Sequence, residues 1–321
     1  MAPFDSVLLI GFGGPTKGCC RKFEECPGEA FCYVHGIVGE RSGGDERIRE
    51  VAHHYEMFGG FSPYSFFTQK QAGALEYALE KAGVSLRVYV GFRYWTPYVQ
   101  ETLAEMGRKG HKRALGIILA PHRAKVSWEA YQREVRSGRE ALGGAAPEVE
   151  YLEASWCDHP GFLEANAERI RQAVQELGSE RFSQARLIFS AHAIPVSMAR
   201  TSPYEEEFAR TANGVAKVLG KNSHAIAYQS SAGTAPGTWL EPDITDVIQG
   251  ASRDGAKDVV VSPVGFICDH VEVLFDLDIE ARDAASKCGV GFFRAGTVGT
   301  HPRFVQMLCD LVAERVNGKK A

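Results

Sequence analysis

A chain of 321 residues, 45% of them hydrophobic, is long enough for one large or two ordinary globular domains. Its net charge of -4 argues against nucleic acid as the main partner, because phosphate recognition calls for a basic surface. No uninterrupted apolar run approaches the roughly 18 residues of a membrane-spanning helix. The start, Met1-Ala2-Pro3-Phe4-Asp5, has neither the basic nor the apolar region of a signal peptide. A cytoplasmic protein is expected, with peripheral contact to a membrane surface left open.

In chain order, residues 7–10 read as a strand that runs into Phe12-Gly13-Gly14-Pro15. That loop looks like a dinucleotide turn but lacks the third glycine and the acid about 20 residues further on, so a nicotinamide enzyme has little support. A Cys-rich loop, residues 17–36, holds Cys19, Cys20, Cys26 and Cys32, half of the eight cysteines. In a reducing compartment such a cluster suggests metal more than disulfides. Helical spacing then covers 69–82, 98–106 and 127–142, between strands at 87–90, 114–119 and 148–152. The second half repeats the pattern. Its strands are 186–189, 225–228, 258–261 and 291–294; its helices are 161–177, 204–219, 244–251, 271–286 and 302–316. Strands alternating with helices predict parallel sheets covered on both faces. The fold class is α/β: two doubly wound, Rossmann-like domains with four-stranded sheets, spanning 1–157 and 158–321. The last helix is free to pack back on the first domain.

Two segments carry chemistry. Leu187-Ile188-Phe189 leads into Ser190-Ala191-His192, and Pro195 stops the strand. His192 thus stands just past a carboxyl strand end, where open α/β sheets bind ligands. After the strand at 258–261 comes Gly265-Phe266-Ile267-Cys268-Asp269-His270-Val271-Glu272-Val273-Leu274. Glu272, Asp276 and Glu280 recur every four residues and share a helix face. That face is either solvated or an acidic track for cations and protons. Asp269 and His270 fall in the first turn, as caps or as support for Glu272. On spacing alone, His192 is read more readily as a structural histidine.

Taken together, these segments resemble the ferrochelatases, whose pattern is a Ser-Ala-His strand end followed by a Gly-Phe-x-x-Asp-His-x-Glu-x-Leu helix start. Gly59-Gly60-Phe61-Ser62-Pro63, Tyr228-Gln229-Ser230 and Trp239-Leu240-Glu241-Pro242-Asp243 add to the match, which runs from about Val7 to the last helix. The resemblance implies a class II chelatase-like fold around a porphyrin cleft and insertion of ferrous iron into a porphyrin in haem biosynthesis. It implies His192 and Glu272 as catalytic residues and metal ligands, supported by Asp269, His270 and Asp276. Phe12, His54, Tyr55, Ser62 and Tyr131 occupy positions that resemble porphyrin contacts. Arg123, with Lys125, has the charge to pair with propionates.

Members that use coproporphyrin often carry tyrosine where Phe12 stands. Phenylalanine can pack on the ring but cannot ligate iron. The long loop 231–238 and the Trp239-Leu240-Glu241-Pro242-Asp243 after it look more like those of coproporphyrin than of protoporphyrin ferrochelatases, which implies coproporphyrin III, not protoporphyrin IX, as the substrate. Another tetrapyrrole or metal is the alternative, and a non-catalytic haem or porphyrin carrier would have no use for an acid–base pair. The expected partners are the porphyrin, ferrous iron and, transiently, other haem-pathway enzymes. Four thiolates suffice for a [2Fe–2S] cluster, and zinc or free thiols are the alternatives for Cys19–Cys32. Ferrochelatases with clusters commonly place three cysteines near the C-terminus, where residues 316–321 have none.

Overall fold

The computed structural model describes residues 3–18, 26–39, 45–153, 155–231 and 237–318. Packing groups them into two compact units. One comprises residues 1–119, 128–154 and 308–321; the other comprises 120–127 and 155–307. The expected single boundary at 157/158 differs from this grouping at residues 120–127, which belong with the second unit; the end of the helix Pro302–Val316 belongs with the first.

In the first unit β1 (Ser6–Gly11), β2 (Arg87–Phe92), β3 (Arg113–Ile118) and β4 (Glu148–Tyr151) form a parallel sheet of order β2-β1-β3-β4. In the second unit β5 (Arg186–His192), β6 (Ala225–Gln229), β7 (Asp258–Ser262) and β8 (Gly291–Arg294) form a parallel sheet of order β6-β5-β7-β8. Each unit thus has its first strand beside its second on one flank and its third on the other. The crevice at such a reversal of strand order, at the carboxyl ends, is where this architecture binds ligands.

The second unit shows how the strands are anchored. Leu187, Phe189 and Ala191 enter an apolar cluster with Ile170, Phe208 and Val215 on one face of the sheet. Ile188, Val259 and Val261 pack on the other with Ile248, Val273 and Leu277. This alternation is the period of two of a strand buried on both faces.

The segment from 17 to 56 holds more helix than the sequence suggests. Glu29–Val38 is a helix that buries Ala30, Cys32, Tyr33 and Val34, so the Cys-rich stretch is a loop only in part. Asp45–Glu56 is a second helix, with Ile48, Ala52 and Tyr55 on its buried face. Their spacing of four and three is a helical stripe that the neighbouring cysteines and charges mask. The helix predicted from residue 69 begins at Tyr64, directly after Pro63. Within the helix predicted over 271–286, residues Leu274–Ala281 are wound as a π-helix.

Candidate active site

His192 is the last residue of β5 and pairs with Gln229 at the end of β6. By alternation it shares a face with Ile188 and Ser190, the face covered by the segment that follows β7. Gly265 allows that segment to come close. Its N–H donates to the Ser190 carbonyl at 3.0 Å, and a Cβ there would lie only 2.5 Å from Ala191 Cβ. Glu272 is then delivered to the same strand edge, with Nε2 of His192 3.6 Å from Oε2 of Glu272. Both side chains are about one-third exposed, at 35% and 30%. The pair sits at the switch point between β5 and β7, open to a ligand.

The imidazole is oriented from its other side. Nδ1 of His192 contacts the Ala193 carbonyl. In the neutral ring this places the hydrogen on Nδ1 and turns the Nε2 lone pair toward Glu272. The backbone carbonyl of His192 accepts from the Tyr204 hydroxyl at 2.8 Å. Burial pushes that phenol well above its usual titration range, so it serves as a donor.

Asp276 lies deeper, at 8% exposure. It accepts from the Ser230 hydroxyl and from Gln229 Nε2 at 3.3 Å. Gln229 in turn accepts from the Ser190 hydroxyl at 3.0 Å. Ser230 holds a left-handed backbone with φ of 61°, rare for a residue with a Cβ and characteristic of functional turns. Burial raises the Asp276 carboxyl to about 7; the nearby Glu272 and Glu280 add to the rise, and the hydrogen bonds oppose it.

The native state therefore holds this proton more tightly than the unfolded chain, whose carboxyl titrates near 3.8. Metal-free protein should lose roughly 1.4 kcal/mol of stability per pH unit between about pH 4 and 7, with no further loss from this group above that range. Asp276→Asn cannot ionise and should lack the slope. It is expected to match the parent near pH 4 and exceed it in urea midpoint at pH 8. Parallel pH profiles for the two proteins would refute the assignment.

Asp269 does not cap the following helix. Its Oδ1 lies 3.1 Å from Arg294 Nη1. His270 packs edge-on to Phe266, with ring centroids 5.0 Å apart. Burial lowers the His270 pKa, favouring a neutral ring; Glu272 and Asp269 oppose that shift, and His192 reinforces it.

Phe12, His54, Tyr55, Ser62 and Tyr131 belong to the first unit. Phe12, half-buried after β1, stands edge-on to Tyr94 with centroids 4.7 Å apart. Tyr55 is 4% exposed and meets Tyr33 edge-on at 5.4 Å. Ser62 is buried, and its N–H donates to the Pro15 carbonyl at 2.8 Å. Tyr131 is buried in the same unit, and His54 is half-buried there.

Arg123 is not an open cation. Its Nε and backbone N–H both donate to the carboxylate of Glu207, each at 2.7 Å, and Glu207 is fully buried. Next to it His122 bonds Thr211 Oγ1 at 3.0 Å. Burial depresses the His122 pKa to about 3, so the ring is neutral. Lys125 is exposed. Cys26 and Cys32 bring their sulfurs to 3.8 Å, whereas Cys19 and Cys20 lie outside the described residues. Among the described residues, no group of three or more His, Cys, Asp or Glu forms a ready-made metal cage.

Sequence reasoning passed over Ser190, Gln229, Ser230, Tyr204 and Arg294 as site residues. Tyr228-Gln229-Ser230 was visible as a motif, but their roles depend on partners distant in the chain.

The fold is that of a chelatase. SirB from Bacillus subtilis with Fe3+ matches with a TM-score of 0.59 at 12% identity, over 97% of this chain and 95% of that one. A sirohydrochlorin chelatase, SirB from Bacillus subtilis subspecies spizizenii in complex with cobalt, matches with a TM-score of 0.54 at 12% identity, over 98% and 95%. The ferrochelatase family model matches residues 40–316. The ferrochelatase of Rhodopirellula baltica is 35% identical over 98% of this chain and 87% of its own length. The coproporphyrin III ferrochelatase of Nocardia farcinica is 36% identical over 98% and 89%. That of Mycolicibacterium smegmatis is 35% identical over 98% and 91%. The chain belongs to the ferrochelatase family.

Proposed function

We propose that this protein inserts ferrous iron into coproporphyrin III, yielding coproheme for haem biosynthesis. The observation that carries the reading is the His192–Glu272 pair, 3.6 Å apart at a switch point of the second unit. Two pyrrole protons must leave the macrocycle, and a hydrated cation must shed water as it enters. The Nε2 lone pair of His192 accepts a pyrrole proton or ligates the ion, and imidazole suits both tasks. The carboxylate of Glu272 stabilises the cation at the same edge. Asp276, with a carboxyl near 7, can gain and lose a proton at neutral pH. Glu280, four residues on and exposed, continues the acidic face toward solvent.

Two observations support coproporphyrin III: the names borne by the relatives from Nocardia and Mycolicibacterium, and the long loop before Trp239. Coproporphyrin III has four propionates against two in protoporphyrin IX. Each well-formed charged hydrogen bond contributes about 1.5–3 kcal/mol. Anaerobic turnover of the two porphyrins side by side should give at least a tenfold higher kcat/KM for coproporphyrin III, about 1.4 kcal/mol. A preference for protoporphyrin IX would overturn the substrate assignment and leave iron insertion standing.

Transient contact with other haem-pathway enzymes and peripheral contact with a membrane surface belong to this reading, as does a cytoplasmic site of action. No described helix is long and apolar enough to cross a membrane.

The cysteines near the N-terminus are proposed to hold a [2Fe–2S] cluster. Two thiolates on one tetrahedral ion, with bonds of about 2.3 Å, stand roughly 3.8 Å apart. Cys26 and Cys32 have that separation, far from the ~2.05 Å of a disulfide. Cys19 and Cys20 would complete the ligand set. Such a cluster would tie this loop covalently, and no step of iron insertion runs through it. Protein purified without oxygen should carry about two iron and two sulfide per chain, and Cys32→Ser should lose both. Zinc in place of iron, or no metal after reconstitution, would sink the cluster and leave the chelatase assignment untouched.

A further inference from the structure

Arg294 is an unexpected connection at this site. It ends β8, and its side chain is 12% exposed. Nε donates to Asp278 Oδ1 at 2.9 Å, and Nη2 to Asp278 Oδ2 at 2.6 Å, a fork-on-carboxylate geometry. Nη1 reaches back to Asp269 Oδ1 at 3.1 Å. The same oxygen accepts from the Thr297 N–H at 3.4 Å. One guanidinium therefore grips the chain on both sides of Glu272 and Asp276.

The gripped segment departs from an ordinary α-helix. Residues Leu274–Ala281 are π-helical, a winding that is rare and found mostly at functional sites. The short helix before it, Val271–Val273, starts at His270 without a side-chain cap. Glu272, Asp276 and Glu280 on one face repel one another, which favours unwinding. A cation bound to the flanking Asp269 and Asp278 opposes that tendency and leaves the three track carboxylates unpaired by it.

We propose that Arg294 is a positioning residue, which sets the register of the acidic segment so that Glu272 faces His192 and the cation. This deepens the iron-insertion reading and rests on it for its kinetic test. Lysine keeps the charge but cannot make the fork or span both carboxylates.

Arg294→Lys should lower kcat/KM for ferrous iron by roughly ten- to a hundredfold, the scale of a misplacement near 1 Å. Porphyrin affinity, read by fluorescence quenching, should stay within about twofold. Asp278→Asn, which keeps the shape but weakens the fork, should shift the same parameters in the same direction by less. It also serves as the test if Arg294→Lys does not fold. Folded variants with unchanged iron kinetics would overturn the proposal. So would parallel losses of iron kinetics and porphyrin affinity, which would make Arg294 a substrate contact. If the parent protein itself inserts no iron, the functional reading fails, and calorimetric titration with Co2+ decides the role of Arg294. About tenfold weaker cation binding by Arg294→Lys upholds it, and equal binding rejects it.

Discussion

His192→Ala is expected to cut iron insertion by about 10²- to 10⁴-fold, the scale of a positioned base, while the protein stays folded. The imidazole is about one-third exposed and meets Glu272 at 3.6 Å, so its removal opens no core cavity. The backbone it hangs from remains held, because Tyr204 bonds the carbonyl and Gln229 pairs across the sheet. Loss of Nε2 removes the imidazole nitrogen that faces Glu272 at this edge. Turnover should be measured beside the thermal midpoint. Near-parental kcat in a folded variant would reject His192 as the reacting group, and a large fall in midpoint would make it structural.

Arg123→Ala is expected to destabilise the protein by about 3 kcal/mol instead of selectively weakening porphyrin binding. It leaves Glu207, fully buried, without its cationic partner, and unpaired buried charges cost about 3–5 kcal/mol. The low end applies because the guanidinium is itself 32% exposed. The backbone N–H of residue 123 also still donates to the carboxylate. Adding Glu207→Gln should recover part of the loss, since the stranded charge is then gone. Urea unfolding of the two single variants and the double variant measures this coupling. Parental stability in Arg123→Ala with weakened coproporphyrin binding would return Arg123 to the substrate.

The site was legible in sequence where its signal is local. The apolar run 187–189 and the stop at Pro195 place His192 at a carboxyl strand edge, and the run 259–261 places the Glu272 segment after β7. On spacing alone His192 reads more readily as structural, and the pairing of the two residues is implied by the resemblance to the ferrochelatases. The π-helix was not legible, because a repeat of four falls between the α period of 3.6 and the π period of roughly 4.4. Arg294 looked like the end of an ordinary strand. Its partners lie 16 and 25 residues away, and nothing in the intervening sequence names them. Ser230 and Gln229 were visible as part of a motif, yet their hold on Asp276 spans 46 and 47 residues.

By itself the amino-acid sequence determined the alternation of strands and helices, the two parallel four-stranded sheets, and the strand ends that carry His192 and the Glu272 segment. These follow from short-range chemistry: apolar period, glycine and proline stops, and the length of chain needed for a crossover. Tertiary structure alone decided which charges are available. Arg123 reads in sequence as a loop cation with the charge to pair with propionates, but packing sets it against buried Glu207. Asp276 reads in sequence as one acid of a face that is either solvated or an acidic track, and burial raises its carboxyl to about 7. Desolvation and ion pairing depend on what lies within a few ångströms in space, and those neighbours come from distant parts of the chain.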